Sequence, residues 1–213
     1  NIPYSMPRYA IKDGVTHLIS ETEKIPLPVF GEHNLQNIEG ARKICQLLGV
    51  KDGDFNTYIS TFAGAVKRLQ LVAKNNSCAV YKDFAHSPSK LIATIDAVKK
   101  QFAARKLVAC MELHTFSSLN KKFLEQYKSA MKAADVPVVY YNPNTIEHKK
   151  LEAINENLIS QYFEDKRIKV FTDSLALKKF LSEQEWEGSN LLMMSSGNFD
   201  GLVIEKLAEE ILK

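Results

Sequence analysis

Four short segments carry side chains whose types and spacing could do chemistry. In Gly31-Glu32-His33-Asn34-Leu35-Gln36-Asn37, Asn34 and Asn37 stand three residues apart at the start of a helical pattern, next to His33. Side chains at that spacing share a helix face. An Asn amide offers a donor and an acceptor together, which matches the N6/N7 edge of adenine. Asn34 is equally well placed to cap the helix. The second segment is Phe62-Ala63-Gly64-Ala65-Val66-Lys67-Arg68-Leu69-Gln70. A guanidinium at Arg68 can hold a phosphate bidentately from across a cleft, or be half of an exposed basic pair. The third is Tyr81-Lys82-Asp83-Phe84-Ala85-His86-Ser87-Pro88. Asp83 ends an apolar run, where a carboxylate can take ribose hydroxyls or a hydrated Mg²⁺. It can also cap the loop, with His86 as a loop histidine. The fourth is Ser195-Ser196-Gly197-Asn198-Phe199-Asp200. Small residues ahead of a helix N-terminus can bind an anion, or form a tight loop capped by Asp200.

Other chemistries are excluded by what the 213 residues lack. None of the nine glycines belongs to a G-x-x-x-x-G-K-S/T phosphate loop or to a G-x-G-x-x-G dinucleotide fingerprint. There is no H-E-x-x-H and no Cys/His cluster, so no metal site is expected within the chain. A net charge of +3, from 28 basic and 25 acidic residues, does not point to nucleic acid. No apolar stretch approaches the roughly 20 residues of a membrane span. Cys45, Cys78 and Cys110 form no C-x-x-C pair and read as reduced thiols of a cytoplasmic protein. The N-terminus is not a signal peptide and lacks an initiator Met, so the chain is expected to begin inside a longer protein.

The elements that must position these segments follow from periodicity. At 45% hydrophobic and 25% charged the composition is that of a globular protein. Residues 1–33 read as β structure, with a polar turn from Ser20 to Lys24. Asn34 to Leu48 carries a helical period, and Asp54 is placed to cap a second short helix. Strands are expected at 69–73, 78–81, 107–111, 138–141, 168–171 and 191–194. Helices are expected from Ser87-Pro88 to about Phe102, and at 119–134, 148–161, 174–181 and 200–212. Strands alternating with helices imply right-handed crossovers and a largely parallel sheet. Ligands in such sheets sit at the C-terminal strand ends. The loops at 83–88, 112–118, 141–147 and 195–200 are therefore the ones to inspect.

Taken in order, Gly31-Glu32-His33-Asn34 with Asn37, then Phe62 with Gly64, Lys67 and Arg68, then Asp83-Phe84-Ala85-His86-Ser87-Pro88 resemble the successive signatures of Mur ligases. The resemblance spans nearly the whole chain. It implies an α/β fold: a Rossmann-like, mostly parallel sheet with helices on both faces, preceded by a β/α remnant of the central ATPase domain. Residues 1–61 would be the end of that ATPase domain, 62–67 a hinge, and 68–213 the C-terminal domain that binds the amine substrate. The N-terminal and central domains of the same enzyme would supply the phosphate loop and main Mg²⁺ ligands.

The resemblance also implies chemistry. ATP would phosphorylate a carboxylate of UDP-MurNAc, and an amine would attack the acyl phosphate. His33, Asn34 and Asn37 would contact the adenine end of ATP, Arg68 its phosphates, and Asp83 the ribose or a Mg²⁺-bound water. His86, His114, Asn142, Ser195 and Asn198 are the candidate contacts of the amine substrate. Alanine-adding members carry a more basic loop than Glu112-Leu113-His114-Thr115-Phe116-Ser117-Ser118. Phe30 to Asn37 and Met193 to Phe199 look closer to the murein peptide ligases, which attach L-Ala-γ-D-Glu-meso-diaminopimelate. The expectation is therefore a tripeptide ligase of peptidoglycan recycling, inactive as this fragment alone. The alternatives are an L-alanine-adding ligase and a non-catalytic nucleotide-binding module.

Overall fold

The computed structural model describes residues 2–20 and 23–213. The first part is a three-stranded antiparallel sheet, β1 (Tyr9–Lys12), β2 (Val15–Ile19) and β3 (Lys24–Leu27), in the order β1-β2-β3. β1 and β2 are joined through Asp13-Gly14, both at positive φ (51° and 71°). Asp-Gly is the preferred pair for such a two-residue hairpin turn, a signal missed above. Part of the turn expected from Ser20 to Lys24 lies outside the described residues. Pro26 sits in β3, which pairs only with β2, so its missing N–H costs no ladder bond.

Two helices complete this part, α1 (Glu32–Leu47) and α2 (Asp52–Ile59). Leu35 and Ile38 of α1 and Phe55 of α2 pack on Leu18, Ile25 and Leu27 of the sheet. Lys51, not Asp54, holds the N-cap position of α2. Asp54 instead lies in the first turn, where a carboxylate favours the helix dipole.

The second part is a six-stranded sheet. Its strands are β4 (Gln70–Lys74), β5 (Ala79–Asp83), β6 (Lys106–Glu112), β7 (Val136–Tyr140), β8 (Lys169–Phe171) and β9 (Ser189–Met194). The order is β4-β5-β9-β6-β7-β8, with β4 antiparallel and the other five parallel. The central strands are apolar throughout because both faces are covered. Leu107, Ala109 and Met111 of β6, with Leu192 and Met194 of β9, face α3 (Pro88–Gln101) and α6 (Glu156–Phe163). The alternate residues Val108, Cys110, Leu191 and Met193 face α7 (Ser174–Ser182) and α8 (Ile204–Ile211). This period-2 alternation places helices on both faces, as expected.

Three helices differ from the periodicity. The helix expected over 119–134 is only α4 (Lys121–Leu124) followed by a 3₁₀ turn, Glu125–Tyr127. Beyond it Tyr127, Ala130, Met131 and Ala134 are all buried. Ser129 stands at φ 56° with its N–H donating to Phe163 O at 2.8 Å. Tyr127 stacks on Phe163 with ring centroids 5.2 Å apart. Tertiary packing here overrides local helix propensity. The helix expected over 148–161 is two pieces, α5 (Pro143–His148) and α6. Asn142 caps the first and Asn155 the second, each accepting a backbone N–H. The last helix begins at Ile204 rather than Asp200.

The two parts meet directly. Phe30 packs edge-on against Tyr81 and Phe102. Gln101 of α3 accepts a 2.7 Å bond from Thr16 and donates one of 2.7 Å to Gly14 O. Gly31, at φ 92°, lets the start of α1 approach α3, since a Cβ there would lie 2.7 Å from Ala97 Cβ. The segment joining the parts has positive φ at Gly64 (89°), Lys67 (58°) and Leu69 (42°).

Candidate functional site

A cavity of about 820 Å³ opens where the two parts meet. Among its lining residues are His33, Asn34 and Asn37 from α1, Arg68 after the linking segment, and Asp83 at the end of β5. Residues far apart in sequence thus share one cleft. Val29, Ile38, Ala41 and Ile59 give it an apolar wall, and Ser89, Lys90, Ala93 and Thr94 of α3 close the other side. The α3 residues were missed in the sequence. The Ser87-Pro88 start was the available signal, since it sets the first turn of α3 beside Asp83.

The polar groups of this cleft are differently committed. Asn34 lies inside α1, so it is not the cap, and its Nδ2 donates to Phe30 O at 2.9 Å. Its Oδ1 remains to accept. Asn37 is exposed on the same face, with no hydrogen bond from its amide among the described residues. The Asn37 amide therefore keeps both its donor and its acceptor available to the cleft. Burial holds the His33 imidazole below its ordinary pKa, with Asp83 opposing and Arg68 reinforcing that shift, so the ring is neutral at pH 7. The Arg68 guanidinium lies 5.8 Å from the Phe84 ring centroid and forms no ion pair among the described residues. Asp83, 8% exposed, accepts from Leu69 N at 2.5 Å and Ala85 N at 2.6 Å. Each of its oxygens keeps lone-pair capacity toward the cleft.

His86 does not line this cavity. Its Nδ1 is 2.8 Å from Phe84 O, and its carbonyl accepts from the Tyr127 hydroxyl. The other candidates lie further along the C-terminal edge of the sheet. Asn142 accepts from Asn144 N at 2.8 Å, which caps α5. Asn198 accepts from Gly201 N at 3.2 Å, closing the turn before α8. Asp200, in the left-handed region (φ 56°, ψ 43°), caps no helix.

Two donors of the loop 195–200 hold a carboxylate of this chain, Glu112 at the end of β6, while the Ser196 hydroxyl is buried with no hydrogen-bond partner among the described residues. Glu112 Oε2 accepts from the Ser195 hydroxyl and from Phe199 N at 2.9 Å. Gly197 N donates to Ser195 Oγ at 2.6 Å, and His114 Nδ1 stands 3.5 Å from Glu112 Oε1. Glu112 was not picked out as a site residue. The signal was a single acidic side chain closing an otherwise apolar strand run. Among the described residues, no group of three or more His, Cys, Asp or Glu side chains forms a metal centre, and no helix is long and apolar enough to cross a membrane.

Comparison with known proteins agrees with this architecture. Residues 67–197 match the family model described as Mur ligase, glutamate ligase domain. A UDP-N-acetylmuramate–L-alanine ligase of Agathobacter rectalis is 29% identical over 191 residues, covering 89% of this chain and 40% of that protein. The enzyme of that name from Cutibacterium acnes is 33% identical over 117 residues, 54% of this chain and 25% of that protein. The chain thus spans less than half the length of these curated relatives. Among solved structures, the UDP-N-acetylmuramate-alanine ligase of Thermotoga maritima superposes with a TM-score of 0.70 at 16% identity, over 96% of this chain and 44% of that one. A murein peptide ligase of Psychrobacter arcticus superposes at 0.53 and 20% identity, over 95% and 42%. At those identities the structures speak for the fold, while the family model, which covers more than half of the chain, speaks for descent. By that match, and with a parallel sheet of the same architecture, this chain belongs to the Mur ligase family.

Proposed function

We propose that this chain is the C-terminal portion of an ATP-dependent amide-bond ligase of peptidoglycan metabolism, acting on UDP-MurNAc through an acyl phosphate. The observation that carries the reading is the single cleft that gathers Asn34, Asn37, Arg68 and Asp83 at the junction of the two parts. Its apolar wall and the uncommitted amide of Asn37 suit an adenine ring. Arg68 suits a phosphate, because its fork is not consumed by a carboxylate of the chain. Asp83 is the one carboxylate lining the cleft among the described residues, placed to accept from ribose hydroxyls or from a metal-bound water. Mg²⁺, where bound, offsets the charge that builds during phosphoryl transfer. Residues 1–61, the 62–67 link and 68–213 are assigned to the end of the ATPase domain, the hinge and the amine-binding domain.

For the amine substrate the proposed choice is the tripeptide L-Ala-γ-D-Glu-meso-diaminopimelate. The loop from Glu112 to Ser118 contains no Arg or Lys, and Glu112 itself is buried and acidic. A compact site for free alanine must hold a carboxylate next to the reacting amine, whereas in the tripeptide that carboxyl is an amide and the free carboxylates lie further along the chain. The rival choice, L-alanine, is favoured by the names of the curated relatives. Phosphate release by the full-length enzyme with each amine decides between them. The tripeptide should lead by at least about 100-fold in kcat/KM, roughly 3 kcal/mol of transition-state binding. Equal or better use of L-alanine moves the assignment to the rival.

The isolated 213-residue chain should turn over no ATP with UDP-MurNAc and the tripeptide. It contains no phosphate-cradling loop. Phosphate release above background from the purified chain would contradict this.

A further inference from the structure

Glu112 is a carboxylate at 3% exposure with no Lys or Arg partner among the described residues. Burying a charge is costly unless hydrogen bonds compensate for it. Here they compensate only one oxygen, Oε2, which takes the Ser195 hydroxyl and Phe199 N. Oε1 faces the imidazole of His114, 3.5 Å from Nδ1. The His114 side chain is 42% exposed, so the ring bridges a buried carboxylate and open solvent. Gly197 is packed against the pair: a Cβ there would lie 2.8 Å from Glu112 Oε2 and 2.9 Å from His114 Cγ. The same edge reaches the nucleotide cleft, since Ser195 N donates to Asp83 O at 3.0 Å. Asp83 and Glu112 close β5 and β6, which are separated only by β9, about 10 Å at two strand spacings.

Glu112 Oε1 is the acceptor beside Nδ1, and a hydrogen bond closing that 3.5 Å gap would hold the ring proton on Nδ1 and leave Nε2 as the basic nitrogen of a half-exposed ring. We propose that His114 is the base that deprotonates the incoming ammonium, and that Glu112 is the residue that positions it. This rests on the ligase reading above. An ammonium has no lone pair, so it must lose a proton before attack. Nε2 of His114 takes that proton. The freed lone pair forms the C–N bond at the carbonyl carbon of the acyl phosphate, and the C–O bond to phosphate breaks. Phosphate leaves with that electron pair and the surplus proton of the new amide nitrogen. His114 then returns its proton to water.

The test uses the full-length enzyme with ATP, UDP-MurNAc and one of two nucleophiles. The first is the tripeptide, whose amine is protonated at neutral pH. The second is hydroxylamine, which is uncharged there and needs no base. His114→Ala should lower kcat with the tripeptide by about 100-fold, the usual scale of general-base loss. Hydroxamate formation should stay within about threefold of wild type on the same argument. Glu112→Gln is the sharper variant. Its side-chain oxygen can still accept from Ser195 and Phe199, but its amide faces Nδ1 with a donor. The ring must then carry its proton on Nε2, and kcat with the tripeptide should fall at least about tenfold, again with hydroxamate formation retained. Either variant using the tripeptide within about threefold of wild type, or losing both reactions equally, would overturn the pair. Failure of the wild-type enzyme to make any hydroxamate would overturn the ligase reading itself.

Discussion

Arg68→Ala in the full-length enzyme is expected to lower kcat by about 100- to 1,000-fold, the scale on which a preorganised donor to transition-state charge acts. UDP-MurNAc binding should change little if Arg68 acts in phosphoryl transfer, as proposed above. Arg68 is exposed, lines the cleft and has no ion-pair partner among the described residues. It also lies within the segment with left-handed residues at 64, 67 and 69, so motion about that segment would carry the guanidinium toward or away from the opposite wall. Arg68→Lys should recover only part of the loss, because an ammonium cannot reproduce the planar fork. Steady-state kinetics with ATP and UDP-MurNAc varied separately checks this. An Arg68→Ala enzyme within about threefold of wild-type kcat would remove Arg68 from the transfer step.

Asp83→Ala should damage stability and nucleotide use together. The carboxylate holds Leu69 N and Ala85 N, and Leu69 is a non-glycine residue at φ 42°. Such a conformation costs about 1–3 kcal/mol and persists only where its surroundings hold it. Removing the carboxylate leaves two buried donors unpaired, at about 1–3 kcal/mol each. The expected loss is about 2–5 kcal/mol, a Tm lower by roughly 5–15 °C for a unit of this size. Asp83→Asn keeps one acceptor but turns an amide N–H₂ toward the other donor, so it should also destabilise, by less. Thermal unfolding of the chain measures this, and KM for ATP in the full-length enzyme measures the second effect. An unchanged Tm in Asp83→Ala would show that the two backbone bonds hold nothing in place.

What the sequence by itself determined is the layered architecture. Leu107 to Met111 and Leu191 to Met194 lie in the middle of a parallel sheet, so both faces of each run are apolar, and such runs are legible without coordinates. Asn34, Asn37, Arg68 and Asp83 were also legible as individual residues, through side-chain chemistry placed beside element boundaries. What only the tertiary structure decided is where polar groups find their partners. The residues from Tyr127 to Ala134 have helical composition, yet they pack as irregular turns because Phe163 O takes Ser129 N–H and Tyr127 stacks on Phe163. Asn34 could be read as an adenine contact or as a helix cap, and it lies inside α1 with its donor spent on Phe30 O. Ser195 to Asp200 could be read as an anion site or as a tight loop, and two of its donors, the Ser195 hydroxyl and Phe199 N, close on Glu112, 83 residues from Ser195 along the chain. Periodicity reports which face of an element is apolar because it depends on neighbours in sequence. A buried carboxylate and the donors that make its burial tolerable meet only when strands distant in the chain become adjacent in the sheet, so no local pattern records them.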